Sequence, residues 1–364
     1  MRRLPIGKRS ICVFAGLFCL LTSGNGVPLS VAAADPTRDP ASPAPADASS
    51  GETKPAAFDV KKIPNLQFCG DDSDDRGSAG RCDVYLPQAK TAAGPATPPG
   101  PATPPGPATP PGPATPPKPA INPAPDRPWP VVLVVHGGGW ATGDKWTMER
   151  HARDLAGDGF AAVAINYRHA PSFKFPDQVD DVRAALVWIT ENAARYGWDS
   201  RRVGMYGYSA GGHLVSLVAT LADEPWESVR QTTAWPQEDE RWEKLPPIGA
   251  VCIGGPPTDF RDLPPDNTSL SFFLGGSRRE LPGVYAAASP ICFTSPNDPP
   301  FQIIHGEADW IVPINNAKNF HRSLVDSDVD SCLQTLPGKG HLFAFLSPKL
   351  TVWMLEFFEQ RLAK

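Results

Sequence analysis

From Trp129 onward, short apolar runs alternate with stretches whose apolar positions recur every three or four residues. WPVVLVV (129–135), FAAVAINYR (160–168), RVGMYG (202–207), IGAVCIGG (248–255) and PFQIIHG (300–306) are almost continuously apolar, the pattern of strands buried on both faces. Between them Val179, Val182, Leu186, Ile189 and Ala193 keep helical spacing up to a stop at Gly197, and HLVSLVATLA (213–222) resumes it. INNAKNFHRSLVDS (314–327) predicts a further helix, SCLQTLPG (331–338) a short strand, and LTVWMLEFFEQRLAK (350–364) a closing amphipathic helix. Upstream, CDVYLP (82–87) reads as one more strand. This alternation predicts an α/β fold: a mostly parallel, doubly wound sheet flanked by helices, with its site beyond the carboxyl ends of the strands.

Two segments break the rhythm. Residues 223–247 are charged yet hold Trp226, Trp235 and Trp242, and residues 255–290 hold GPPTDF and SLSFFLGG. Both are expected on the side of the site, either as a roof over a pocket or as surface loops with aromatic anchors.

Composition divides the rest of the chain. Prolines number 44 in 364 residues, too many for core alone. Residues 1–34 carry Arg2, Arg3, Lys8 and Arg9, then an apolar run at 11–21, then Ala32-Ala33-Ala34, which together predict a secretory signal peptide cleaved near Ala34. The run is short against the roughly 20 apolar residues of a spanning helix, so no stable membrane insertion is expected after cleavage. Residues 35–57 read as a disordered leader. The folded domain is expected over 58–364, with a Pro-rich low-complexity insertion at 88–128 in which GPATPP repeats four times. That insertion is expected to be an extended loop between two neighbouring strands, since loop length costs little.

Losing four positive charges with the signal peptide takes the net charge from −5 to −9. This argues against nucleic acid or an anionic membrane as a partner and leaves oligomeric state open. Five cysteines remain, and Cys69 and Cys82, flanking a short polar loop, are the first choice for a disulfide in a periplasmic or secreted protein. The pairing of Cys252, Cys292 and Cys332 stays open. The acidic DDSDD cluster (71–75) lacks the ligand spacing of a calcium loop and reads as a solvated turn.

GYSAGG (207–212) joins a strand to a helix and centres Ser209 among glycines. A serine hydroxyl is a weak nucleophile unless presented on a tight, strained turn beside a base, which Gly207 and Gly211 leave room for. The helix that follows aims its N-terminus and the Ala210 amide at the same point, where an oxyanion can be held. HGGGW (136–140), after its own buried strand, supplies more donors: Gly138 and Gly139 are the expected ones, with His136 as a loop brace.

HGGGW upstream of G-x-S-A-G-G, with NYRHAPSFKFP between them, resembles the α/β-hydrolase carboxylesterases, specifically those related to hormone-sensitive lipase and the feruloyl or acetylxylan esterases. The resemblance implies a chain order of serine, acid, histidine. On it, the acid in HGEADWIVP (305–313) matches Asp309 and not Glu307, and the base matches His341 in GKGHLF. It implies a Ser209, Asp309, His341 triad with Gly138, Gly139 and Ala210 as oxyanion hole, needing neither metal nor organic cofactor. His151, His169, His213, His305 and His321 are expected in packing or surface roles. The implied function is a serine esterase on small-molecule or polysaccharide esters. A peptidase or arylformamidase of the same fold, or a non-catalytic ligand-binding module, are the alternatives.

Overall fold

The computed structural model describes residues 56–70, 78–90 and 127–363. The signal peptide, most of the leader, the GPATPP repeats and the DDSDD cluster lie outside them. Eight strands form one sheet: β1 (Asp59–Gln67), β2 (Arg81–Gln88), β3 (Trp129–Val135), β4 (Ala161–Ile165), β5 (Trp198–Tyr208), β6 (Ile248–Gly254), β7 (Phe301–Gly306) and β8 (Ser331–Leu336). Their spatial order is β1-β2-β4-β3-β5-β6-β7-β8. Pairing is parallel from β4 through β8 and antiparallel for β1·β2 and β2·β4. The helices, in chain order, are α1 (Glu149–Gly157), α2 (Asp177–Glu191), α3 (Ala193–Tyr196), α4 (Ala210–Thr220), α5 (Trp226–Val229), α6 (Ser271–Leu274), α7 (Pro282–Ala287), α8 (Asn315–Asp326), α9 (His341–Phe345) and α10 (Pro348–Leu362).

Strand periodicity sorts the core into two layers. Val131, Leu133 and Val135 of β3 face one side and pack with Val182, Leu186, Leu214, Leu217, Phe320 and Leu324 of α2, α4 and α8. Val132 and Val134 face the other and pack with Ala152 and Leu155 of α1 and Met354 and Phe358 of α10. All five β3 residues are fully buried, and each such side chain contributes roughly 1.5–3 kcal/mol to folding. The sheet is thus apolar on both faces and forces function to its edge, at the strand ends.

Two expectations change. The strands before and after the Pro-rich segment, β2 and β3, follow each other in the chain but are not neighbours in the sheet. The slot beside β3 is taken by β4, which returns parallel to it through α1, so β2 is left the far side of β4. Cys69 and Cys82 are not joined in a disulfide. Cys82 faces the core on β2 opposite Leu66, whereas Cys69 lies past the end of β1, where its amide bonds the Gly80 carbonyl. For residues 223–247, open between a roof and surface loops, the polar contacts are with α2. After α4 carries the chain away from the strand ends, this segment climbs the outer surface of α2, where Thr233 Oγ1 and the Ala234 amide donate to Asp180, and descends to a Lys244–Glu191 ion pair. It walls a cavity of about 480 Å³ with Arg183, Leu186, Val218, Leu221, Trp226 and Trp242.

Candidate active site

Because β3, β5, β7 and β8 run parallel, their carboxyl ends share one edge, and the segments that leave them carry HGGGW, Ser209, Asp309 and His341. Ser209 sits between β5 and α4 at φ 55° and ψ −121°, a conformation costly for a residue with a side chain. Its amide donates to the Gly254 carbonyl (2.8 Å) and its carbonyl accepts from His213 (2.9 Å), so strand and helix hold the strain from both sides. The turn closes only on glycine: a Cβ at Gly207 would overlap the Gly211 carbonyl, and one at Gly211 the carbonyl of Val135.

The HGGGW loop packs directly on this turn, where a Cβ at Gly137 would meet Ser209 Cβ at 3.1 Å. Gly138 takes φ 125° and Gly139 φ 60°, turning their peptide planes as the loop reverses onto the Gly138 carbonyl, which accepts from Ala141 and Thr142. Among the described residues no protein acceptor takes the amides of Gly138, Gly139 or Ala210.

His136 braces the loop as expected. It is fully buried, stacked on Tyr167 at 4.3 Å, and its Nδ1 donates to the Gly137 carbonyl at 2.7 Å. Burial pushes its pKa down to about 4, so it is neutral. Trp140 extends the brace. The indole stacks on Phe273 at 4.5 Å, and its Nε1–H donates to His213 Nδ1 at 3.1 Å. Since Nδ1 accepts, the proton of His213 must lie on Nε2, which donates to the Ala288 carbonyl at 2.7 Å. Burial likewise pushes His213 down to about 4. Phe260 and Phe273 pack against Trp140, so residues 255–290 do come to the site, as packing behind the glycine loop.

Asp309 Oδ2 accepts from His341 Nδ1 at 2.6 Å, and Oδ1 accepts from the amides of Ile311 and Val312 at 3.0 and 2.9 Å. Burial alone would raise its pKa; the hydrogen bonds from His305, His341 and the Val312 amide outweigh it and hold the carboxyl well below the usual carboxylate range. With the proton fixed on Nδ1, Nε2 of His341 carries the lone pair that a base needs. His305, buried at the end of β7, contacts the Val312 carbonyl at 2.9 Å and Asp309 at 3.4 Å through Nε2, and so braces the acid loop. Glu307, the rival acid, is exposed and accepts from Thr335. On the base side, the Tyr208 hydroxyl donates to the His341 carbonyl at 2.6 Å, linking the residue before Ser209 to the base. All six expected site residues therefore gather at one edge. Among the described residues no three His, Cys, Asp or Glu side chains form a metal-holding group.

A family model, BD-FAE, matches residues 120–324, more than half of the sequence. The chain belongs to the BD-FAE family. It is 31% identical to esterase LipC of Mycobacterium tuberculosis (strain ATCC 25618 / H37Rv), over 61% of this chain and 55% of that protein. The chain spans about half the length of the curated relatives it matches. Among solved structures, a truncated carbohydrate esterase from gut microbiota superposes with TM-score 0.65 at 21% identity, covering 85% of this chain and 98% of that one. Esterase Est2 of Thermogutta terrifontis with propionate bound gives 0.57 at 21% identity, over 84% and 94%. These likenesses establish an α/β-hydrolase fold, as the strand order does. Two parts of the site had no sequence signal: Tyr208 and the Trp140–His213 pair each act on a partner more than 70 residues away.

Proposed function

We propose that this BD-FAE chain is a secreted serine esterase that cleaves carboxylic esters through an acyl-enzyme. His341 Nε2 takes the proton of Ser209 as the hydroxyl attacks the ester carbonyl. The oxygen that becomes negative is held by the amides of Gly138, Gly139 and Ala210, aimed by the glycine loop and the start of α4. Asp309 keeps the imidazole in the tautomer that can accept and stabilises the imidazolium that forms. His341 then protonates the leaving alcohol, and water, deprotonated by the same ring, releases the acid. The observation that carries this reading is the 2.6 Å Asp309–His341 bond on a loop tied to the strained Ser209 turn.

The substrate is proposed to be an ester of a short acyl group, borne on a polysaccharide or a small alcohol. Ahead of β3 the described residues form only β1 and β2, with no helix to cap the site. A neighbour of the same fold carries the name carbohydrate esterase. Trp310 and Ile311 follow the acid, Leu342 and Phe343 follow the base, and all four are exposed, a rim suited to neutral rather than charged groups. Export by the residue 1–34 signal peptide, cleaved near Ala34, fits a polymer outside the cell.

A panel of p-nitrophenyl esters of increasing acyl length, run beside acetylated xylan, tests this. Highest kcat/KM on acetyl or propionyl esters is expected. A steady rise toward long chains would overturn the short-acyl reading, and no hydrolysis of any ester would overturn the activity.

A further inference from the structure

Tyr208 shares a peptide bond with Ser209, and its side chain crosses the end of β6 to the loop that carries the base. The phenol hydroxyl donates to the main-chain carbonyl of His341 at 2.6 Å. Its ring lies 5.2 Å from the imidazole and 4.8 Å from Phe345. The side chain is 4% exposed, and burial, with the nearby Asp309 charge, holds the phenol far above its usual pKa, so it remains a donor at any working pH. The seat is cut to fit. A Cβ at Gly254 would overlap the Tyr208 ring, and one at Gly255 (φ 52°) would lie 3.0 Å from His341 Cε1 and 3.2 Å from Tyr208 Oη. The same two residues are pinned to the sheet, Gly254 accepting from the Ser209 amide and Gly255 donating to Ile304.

We infer that Tyr208 is a positioning residue that sets the distance between nucleophile and base. The Asp309 bond fixes how the imidazole is turned, but leaves open where the backbone of His341 stands. The Tyr208 hydroxyl fixes that backbone against the residue next to Ser209, so the proton acceptor is registered to the nucleophile through one side chain. Proton transfer from serine is steeply sensitive to this spacing, whereas ground-state binding of the ester is not. The inference rests on the esterase reading above.

Tyr208→Phe keeps the ring and removes only the hydroxyl. With p-nitrophenyl acetate, kcat and kcat/KM are expected to fall together by roughly tenfold with KM nearly constant, the pattern of an interaction realised in the transition state. Reaction of Ser209 with a fluorophosphonate should slow by a similar factor. Tyr206→Phe is the control: two residues earlier on β5, it removes a buried hydroxyl that has no partner among the described residues, and it should leave both rates unchanged. The Nδ1 proton shared with Asp309 should give a downfield proton resonance that shifts in Tyr208→Phe and not in Tyr206→Phe. Unchanged kcat in Tyr208→Phe, a rise in KM alone, or equal losses in both variants would overturn the inference while the esterase reading stands. A wild type that neither hydrolyses the ester nor reacts with the fluorophosphonate would overturn both.

Discussion

In the proposed mechanism Ser209, Asp309 and His341 do separable work. Ser209→Ala should abolish ester hydrolysis, because no other hydroxyl is presented on the strained turn. Asp309→Asn should lower kcat by about 10⁴, since an amide can donate to Nδ1 and favour the wrong tautomer. Steady-state assay of the purified variants checks both, and near-normal turnover in either would remove that residue from the site. The low pKa of Asp309 means the carboxylate contributes stability above the ordinary carboxylate value and loses it as pH falls through its lowered one. At this scale the serine turn and the glycine loop were legible in short motifs, and the acid and base through the family resemblance. Tyr208 was not, because the meaning of its hydroxyl lies in a carbonyl 133 residues later.

At the scale of elements, the glycine loop has little side chain of its own and borrows rigidity from Trp140, His213 and Phe273. His213→Leu should strand the buried indole N–H and the Ala288 carbonyl, costing roughly 1–3 kcal/mol for each unsatisfied group. The expected result is a lower midpoint in urea together with reduced kcat; an unchanged midpoint would show that the pair holds nothing. Apolar runs announced the buried strands from β3 to β7, because burial on both faces leaves no polar position. β1 gave no such signal, being an edge strand with several exposed residues, DVKKIPNLQ. Nor did α1, whose nine residues bury a narrow face of His151, Ala152, Leu155 and Ala156 beneath a charged one. For residues 223–247, aromatic composition spoke of packing but not of its partner, the length of α2 from Asp180 to Glu191.

Across the whole molecule, burial leaves three histidines neutral: His136 and His213 at about 4 and His151 at about 3. Unfolded, each would titrate near about 6.5. Between that value and the lowered ones the unfolded chain binds more protons than the folded one, so stability falls as pH drops through this window. Burial lowers His169 and His321 in the same sense; Asp298, raised to about 7, and Asp154, also raised by burial, act in the opposite direction, two groups against five histidines. Thermal unfolding midpoints should therefore fall between pH 7 and pH 4.5, and a flat or rising series would show that these histidines carry protons in the folded state.

The central claim is that Ser209 is an activated nucleophile with His341 as its base. Incubation with a serine-directed fluorophosphonate, followed by mass mapping of the labelled peptide, tests it most directly. One adduct per chain on Ser209, formed in step with loss of ester hydrolysis and absent in His341→Ala, is the predicted result. Full hydrolytic activity with Ser209 unmodified, or labelling that is indifferent to His341, would contradict the account.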